Sequence, residues 1–129
     1  MSSEYGQFLA QLFDHIFFGT DKAAGLAAFQ RDVAPDAMMS VNGKEMNPTE
    51  FREQLMQFHT TAKAELISKE TLAVVEMPSG GAVCSGVIRL KRVSKADGSA
   101  KDEVAVAIIK VEVKGGKKVV TAWCGALQR

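Results

Sequence analysis

Residues 82–114 read AVCSGVIRLKRVSKADGSAKDEVAVAIIKVEVK, and this stretch decides the fold. Ala82, Cys84, Gly86, Ile88 and Leu90 alternate with Val83, Ser85, Val87, Arg89 and Lys91. Beyond the turn signal Asp97-Gly98, Ala105, Ala107, Ile109, Val111 and Val113 alternate with Val104, Val106, Ile108, Lys110 and Glu112. A period of two on either side of a glycine turn specifies two antiparallel strands and a hairpin. Both faces are apolar in mid-strand, while charge collects toward one end. A sheet built this way has to be covered on both sides.

The same period extends in both directions. Ser79-Gly80-Gly81 separates an earlier run at 63–77 from the strand at 82–94, and Gly115-Gly116 separates the strand at 102–114 from a last run at 117–127. On that last run, alternation places Val119, Thr121, Trp123 and Gly125 opposite Val120, Ala122 and Cys124. Upstream of Lys63 the period becomes 3.6. Tyr5, Phe8, Leu9, Leu12, Phe13, Ile16 and Phe17 form one helical stripe, with Ser2 or Ser3 as its cap and Gly19 as a left-handed stop. A second helix is predicted from Thr20 or Asp21 to Val33, ended by Pro35. Residues 38–46 then read as a short hairpin turning at Asn42-Gly43. Asn47-Pro48-Thr49-Glu50 is an N-cap, a first-turn proline and a capping-box glutamate, so a third helix follows with Phe51, Leu55, Phe58 and Ala62 inward.

The chain of 129 residues is expected to be a single domain over 1–129. Sixteen basic against 15 acidic residues, a net charge of +1, argue against a phosphate-binding surface, so nucleic acid is not an expected partner. Glu4, Gln7, Gln11, Asp14 and His15 interrupt the first residues, so no secretory signal is read there. No stretch reaches the ~18 apolar residues of a membrane span. The expected location is cytoplasmic, with Cys84 and Cys124 reduced and packed. Arg89, Lys91, Arg92 and Lys95 are answered by Asp97, Asp102 and Glu103 across the hairpin, which reads as a solvated, self-compensated edge. His15 and His59 have no metal-ligand spacing, and no glycine-rich phosphate loop precedes a helix, so no metal or cofactor is expected.

Helix, helix, short hairpin, helix and a four-strand meander resemble the nuclear-transport-factor-2-like superfamily, which includes ketosteroid-isomerase-like and SnoaL-like proteins. The resemblance rests on the Tyr5–Phe17 stripe, the segment from Asp36 to Gly43, the Asn47–Phe58 helix and the glycine-punctuated strands up to Trp123. It implies an α+β fold, with three helices in the N-terminal half packed in a strongly curved, mainly antiparallel sheet that forms a cone-shaped barrel. It also implies a pocket inside the cone and dimerisation through the outer face of the sheet. The enzymes of this superfamily place a base at the end of the first short strand. Here that place reads Ser40-Val41-Asn42-Gly43, with no carboxylate or histidine.

The resulting expectation is a homodimeric domain that binds an apolar small molecule without catalysis. Tyr5, Phe8, Leu12, Phe58, His59 and Trp123 are the expected pocket residues, around a cavity of roughly 300 Å³ or more. Two alternatives stand beside it. One is an isomerase, cyclase or dehydratase with His59 as acid/base and Tyr5 as hydrogen-bond donor. The other is an association module working through the outer sheet.

Overall fold

The computed structural model describes residues 4–19 and 21–127. Elements follow in the order α1 (Glu4–Phe13), a π-helical turn (Asp14–Phe18), α2 (Lys22–Asp32), β1 (Val33–Val41), β2 (Lys44–Met46), α3 (Pro48–Thr61), β3 (Ala62–Glu76), β4 (Ala82–Ser94), β5 (Ala100–Lys114) and β6 (Lys117–Leu127). The six strands form one curved sheet in the order β2-β1-β6-β5-β4-β3. All neighbours are antiparallel except β1 and β6, which run parallel. The sheet is mixed and does not close, so it is an open cone wall and not a barrel. The three helices cover its concave face.

Local chemistry accounts for each helix end. Asn47 and Glu50 form the reciprocal capping box, with Oδ1 of Asn47 accepting from Glu50 N–H at 2.8 Å and Oε1 of Glu50 accepting from Asn47 N–H at 3.1 Å. Asp21 caps α2 through Ala24 N–H at 3.2 Å. On α1 the stripe buries Tyr5, Leu9 and Leu12, and Ile16 of the π turn continues it; Phe8, Phe13 and Phe17 pack partly exposed against the same core. Full burial of Leu12 and Ile16 stabilises by about 1.5–3 kcal/mol for each side chain. Ser2, Ser3 and Thr20 lie outside the described residues. Gly19 has extended backbone, φ −71 and ψ 146, so the helix ends in its wider π turn and not at a left-handed glycine.

Packing of α2 on that turn depends on Gly25. A Cβ there would stand 2.7 Å from the carbonyl oxygen of His15, so any side chain would push the two segments apart. The second helix also ends earlier than its apolar spacing suggests. Val33 already pairs with Val120 in the sheet, and the register shifts between Val33 and Met38. Pro35 therefore lies in an irregular part of a strand, where a missing N–H breaks no regular ladder bond.

A second irregularity corrects the face assignment on β6. Val111 pairs with Val120 while Lys110 pairs with Ala122, leaving Thr121 as the extra residue of a bulge. Val120 and Trp123 are consequently both buried on the concave side, whereas strict alternation separates them. On β4 and β5 the alternation is regular. Gly86 pairs with Ala107, Ile88 with Ala105 and Leu90 with Glu103, and this parity faces the helices.

Candidate functional site: the interior of the cone

The concave face and the helices enclose a cavity of about 1370 Å³. Its helical wall carries Phe13 and Phe17 from the first helical segment, and Phe51, Leu55 and Phe58 from α3. The sheet contributes Gly86, Ile88, Leu90, Ala105, Ala107, Ile109 and Trp123. Small residues at 86, 105 and 107 leave the middle of the sheet without bulk, which is why the space persists. Trp123 is the centre of the aromatic wall. Its ring lies 5.2 Å from Phe13 in an edge-on contact at 87°, and 5.2 Å from Phe51, which in turn stacks on Phe29 at 5.5 Å. Gly125 leaves room for the indole, since a Cβ there would be 3.0 Å from Nε1 of Trp123.

Phe58 and Trp123 line this cavity, while Tyr5, Phe8, Leu12 and His59 do not. Tyr5 is buried, and its hydroxyl accepts the N–H of Gly81 at 3.2 Å, tying α1 to the β3–β4 turn. Gly81 has φ +98, and a Cβ there would overlap the Val111 carbonyl, so only glycine fits this junction. Leu12 is core, and Phe8 packs beside it. The His59 ring bonds through Nε2 to the carbonyl oxygen of Ile16 at 2.6 Å. A carbonyl can only accept, so Nε2 carries a proton and donates it. The π turn and the end of α3 are thereby joined.

One polar pair inside the cone has no counterpart among the expected site residues. Glu103 on β5 has a side chain only 3% exposed, and its Oε1 lies 2.9 Å from Nε of Arg92 on β4. The Nε–H does not point along that line, so the contact is charge pairing and not an aligned hydrogen bond; Oε2 of Glu103 also lacks a protein partner. The guanidinium of Arg92 stands 4.7 Å above the Phe58 ring. Both Arg92 and Glu103 line the cavity. The edge expected to be solvated is therefore not solvated at this pair, and the strand interior does supply a buried acid. Its signal lay in parity: Glu103 shares the inward phase of Ala105, Ala107 and Ile109, as Arg92 shares that of Leu90.

Cys84 also faces the cavity, and burial raises its thiol pKa above the ordinary value. Cys124 is exposed. Among the described residues no group of His, Cys, Asp and Glu is gathered to hold a metal ion. Among the same residues no helix is long and apolar enough to cross a membrane.

No family model matches the chain, and no curated protein matches it by sequence. Solved structures do match it. A conserved protein from Planctomyces limnophilus superposes with a TM-score of 0.78 at 12% identity, covering 95% of this chain and 91% of that one. A ketosteroid isomerase-like protein from Erwinia carotovora gives 0.70 at 14% identity, covering 95% and 88%. An NTF-2-like protein of unknown function from Shewanella oneidensis gives 0.65 at 16% identity, covering 93% and 97%. The order of elements, the curved open sheet and these superpositions agree: the chain has the α+β cone fold of the nuclear-transport-factor-2-like superfamily.

Proposed function

We propose that this chain binds a small, largely apolar molecule inside the cone and does so without catalysis. The observation that carries this reading is the cavity itself, about 1370 Å³ and walled by Phe13, Phe17, Phe51, Phe58 and Trp123. Small-molecule sites are concave and mainly apolar, with a few polar groups that set orientation. The acid/base alternative has less to draw on. His59 is bonded to a helix carbonyl away from the cavity, and the place of the expected base holds Asn42.

Nile red, a neutral dye with no hydrogen-bond donor, tests the reading directly. It should bind with increased emission and quench Trp123, the single tryptophan. Ala107→Phe should fill the middle of the cavity and weaken binding by about tenfold or more, with an unchanged far-UV spectrum. Equal binding by the variant would mean that the dye, and the reading, do not involve the cone.

A second surface supports self-association as part of the same function. Met38 is 76% exposed, Ile108 54% and Val106 42%, all on the convex side of the sheet away from the helices. A second copy laid against this face would cover them, giving a homodimer whose two cones open independently.

A further inference from the structure

We propose that the Arg92–Glu103 pair selects a neutral ligand whose polar end is a hydrogen-bond donor, a hydroxyl or an amide N–H on an otherwise apolar body. This rests on the cone being a binding site and specifies what that site takes. Glu103 is almost wholly withdrawn from solvent, with a side chain 3% exposed, and it lines the cavity. Oε1 lies 2.9 Å from Arg92 Nε without an aligned hydrogen bond, so that buried N–H is an open donor, and Oε2 is buried with no hydrogen-bond partner. A carboxylate held against a guanidinium only accepts hydrogen bonds, so what completes it must donate. Buried acceptors are rarely left unmade, because the desolvation is then uncompensated.

Charge decides the rest of the specification. The guanidinium and carboxylate cancel at close range, so neither an anion nor a cation gains from the pair as a whole. An anion placed at Oε2 meets a like charge, and a cation there meets Arg92 behind it. The cavity's lysine, Lys69, is already paired with Asp14 at 2.9 Å. On the cavity side the pair adjoins apolar groups, Phe58 under the guanidinium, Leu90 across from Glu103 and Ala105 at the next inward position, while Lys101, across from Arg92, lies outside the lining. Arg92, clamped over Phe58, is thus a positioning residue for Glu103, and Oε2 is the atom that would meet the ligand.

Three optically silent probes of one shape separate the possibilities: 1-adamantanol, its methyl ether 1-methoxyadamantane, and adamantane-1-carboxylate. Binding is read from Trp123 fluorescence and by calorimetry. The alcohol should bind at least about tenfold more tightly than the ether, the increment of a hydrogen bond to a charged acceptor, and more tightly than the carboxylate. In Glu103→Gln the amide turns its oxygen to Arg92 and presents NH2 where Oε2 was, so the alcohol's advantage over the ether should fall to within about twofold. Should that variant not fold, Arg92→Met combined with Glu103→Leu removes both charges at similar volume and should give the same loss.

Equal affinity of alcohol and ether for the wild type overturns the donor requirement, and tightest binding by the carboxylate overturns neutrality. Failure of all three probes while Nile red still binds also overturns the inference but leaves the cavity reading in place. Loss of Nile red binding as well removes both.

Discussion

The side chain of Asn42 holds both backbone polar groups of Leu127: Oδ1 accepts its N–H at 2.8 Å and Nδ2 donates to its carbonyl at 3.3 Å. The Asn42 backbone N–H adds a bond to the carbonyl of Gly125 at 2.9 Å. Asn42 and Gly43 both have positive φ, 53 and 80, as a tight hairpin turn demands. One residue therefore makes the β1–β2 turn and fastens the end of β6 to it. The family resemblance leads to the expectation of a base at this place, and here the amide is committed to structure. Asn42→Asp keeps the acceptor, loses the donor and sets a carboxylate against the Leu127 carbonyl. It should lower the urea midpoint by an amount equivalent to about 1–2 kcal/mol with an unchanged m-value. An unaltered midpoint would show that the clasp contributes nothing.

His59 gives a second outcome. Its bond to the Ile16 carbonyl joins the end of α3 to the π turn, and its ring lies outside the cavity lining. His59→Ala should cost about 1 kcal/mol of stability through that lost bond, yet change Nile red affinity by less than about threefold. A loss of dye binding with stability intact would instead place the imidazole in the ligand's path.

Periodicity made the architecture legible because burial was regular. The capping box at Asn47 and Glu50, the turn at Asn42-Gly43 and the parity of β4 and β5 could each be read from spacing. Misreadings gathered where the period breaks. The bulge at Thr121 moves Val120 and Trp123 to one face, and no composition signal marks it. The irregular pairing after Val33 lets a strand start inside what looks like the end of a helix. Glu103 is hidden differently: Lys101 and Asp102 before it are charged, so it reads as edge, although its parity points inward. Chemical type alone points Tyr5 and His59 to the pocket, whereas tertiary geometry uses them as ties between segments.

Acid sensitivity should arise in the β4–β5 turn. Asp97 Oδ1 accepts the N–H of Ser99 at 2.9 Å, and this backbone bond, with smaller hydroxyl contributions from Ser99 and Ser94, lowers its pKa below the ordinary carboxylate value. A depressed folded-state pKa contributes stability that is present above the unfolded value and is lost as pH falls through the folded one. Asp97→Asn keeps an oxygen for the Ser99 N–H but has no such proton linkage. As pH falls below ~4 the wild type should therefore lose more stability than the variant. Parallel acid limbs would mean that the turn does not hold the carboxylate as described.

Assembly is the last outcome, and Ile108 is the residue that tests it. Ile108 pairs with Ser85 on β4 and with Cys124 on β6, near the middle of the convex face. Val106 and Met38 are exposed on the same side, while Lys110 and Glu112 share that strand phase toward one end. An apolar centre with polar residues at its margin is the usual anatomy of a protein interface. Pairing two copies there should bury about 1,600 Å² in total, so light scattering at micromolar concentration should give twice the chain mass. Ile108→Asp would place two charges in the dimer centre, and it should yield monomers with unchanged far-UV signal. Because Ile108 points away from the cone, the monomer should still bind Nile red. In addition, alkylation of Cys124 should be faster in the variant than in the dimer that shields it. A monomeric mass for the wild type, or equal labelling of Cys124 in both proteins, would remove the convex face from the protein's function.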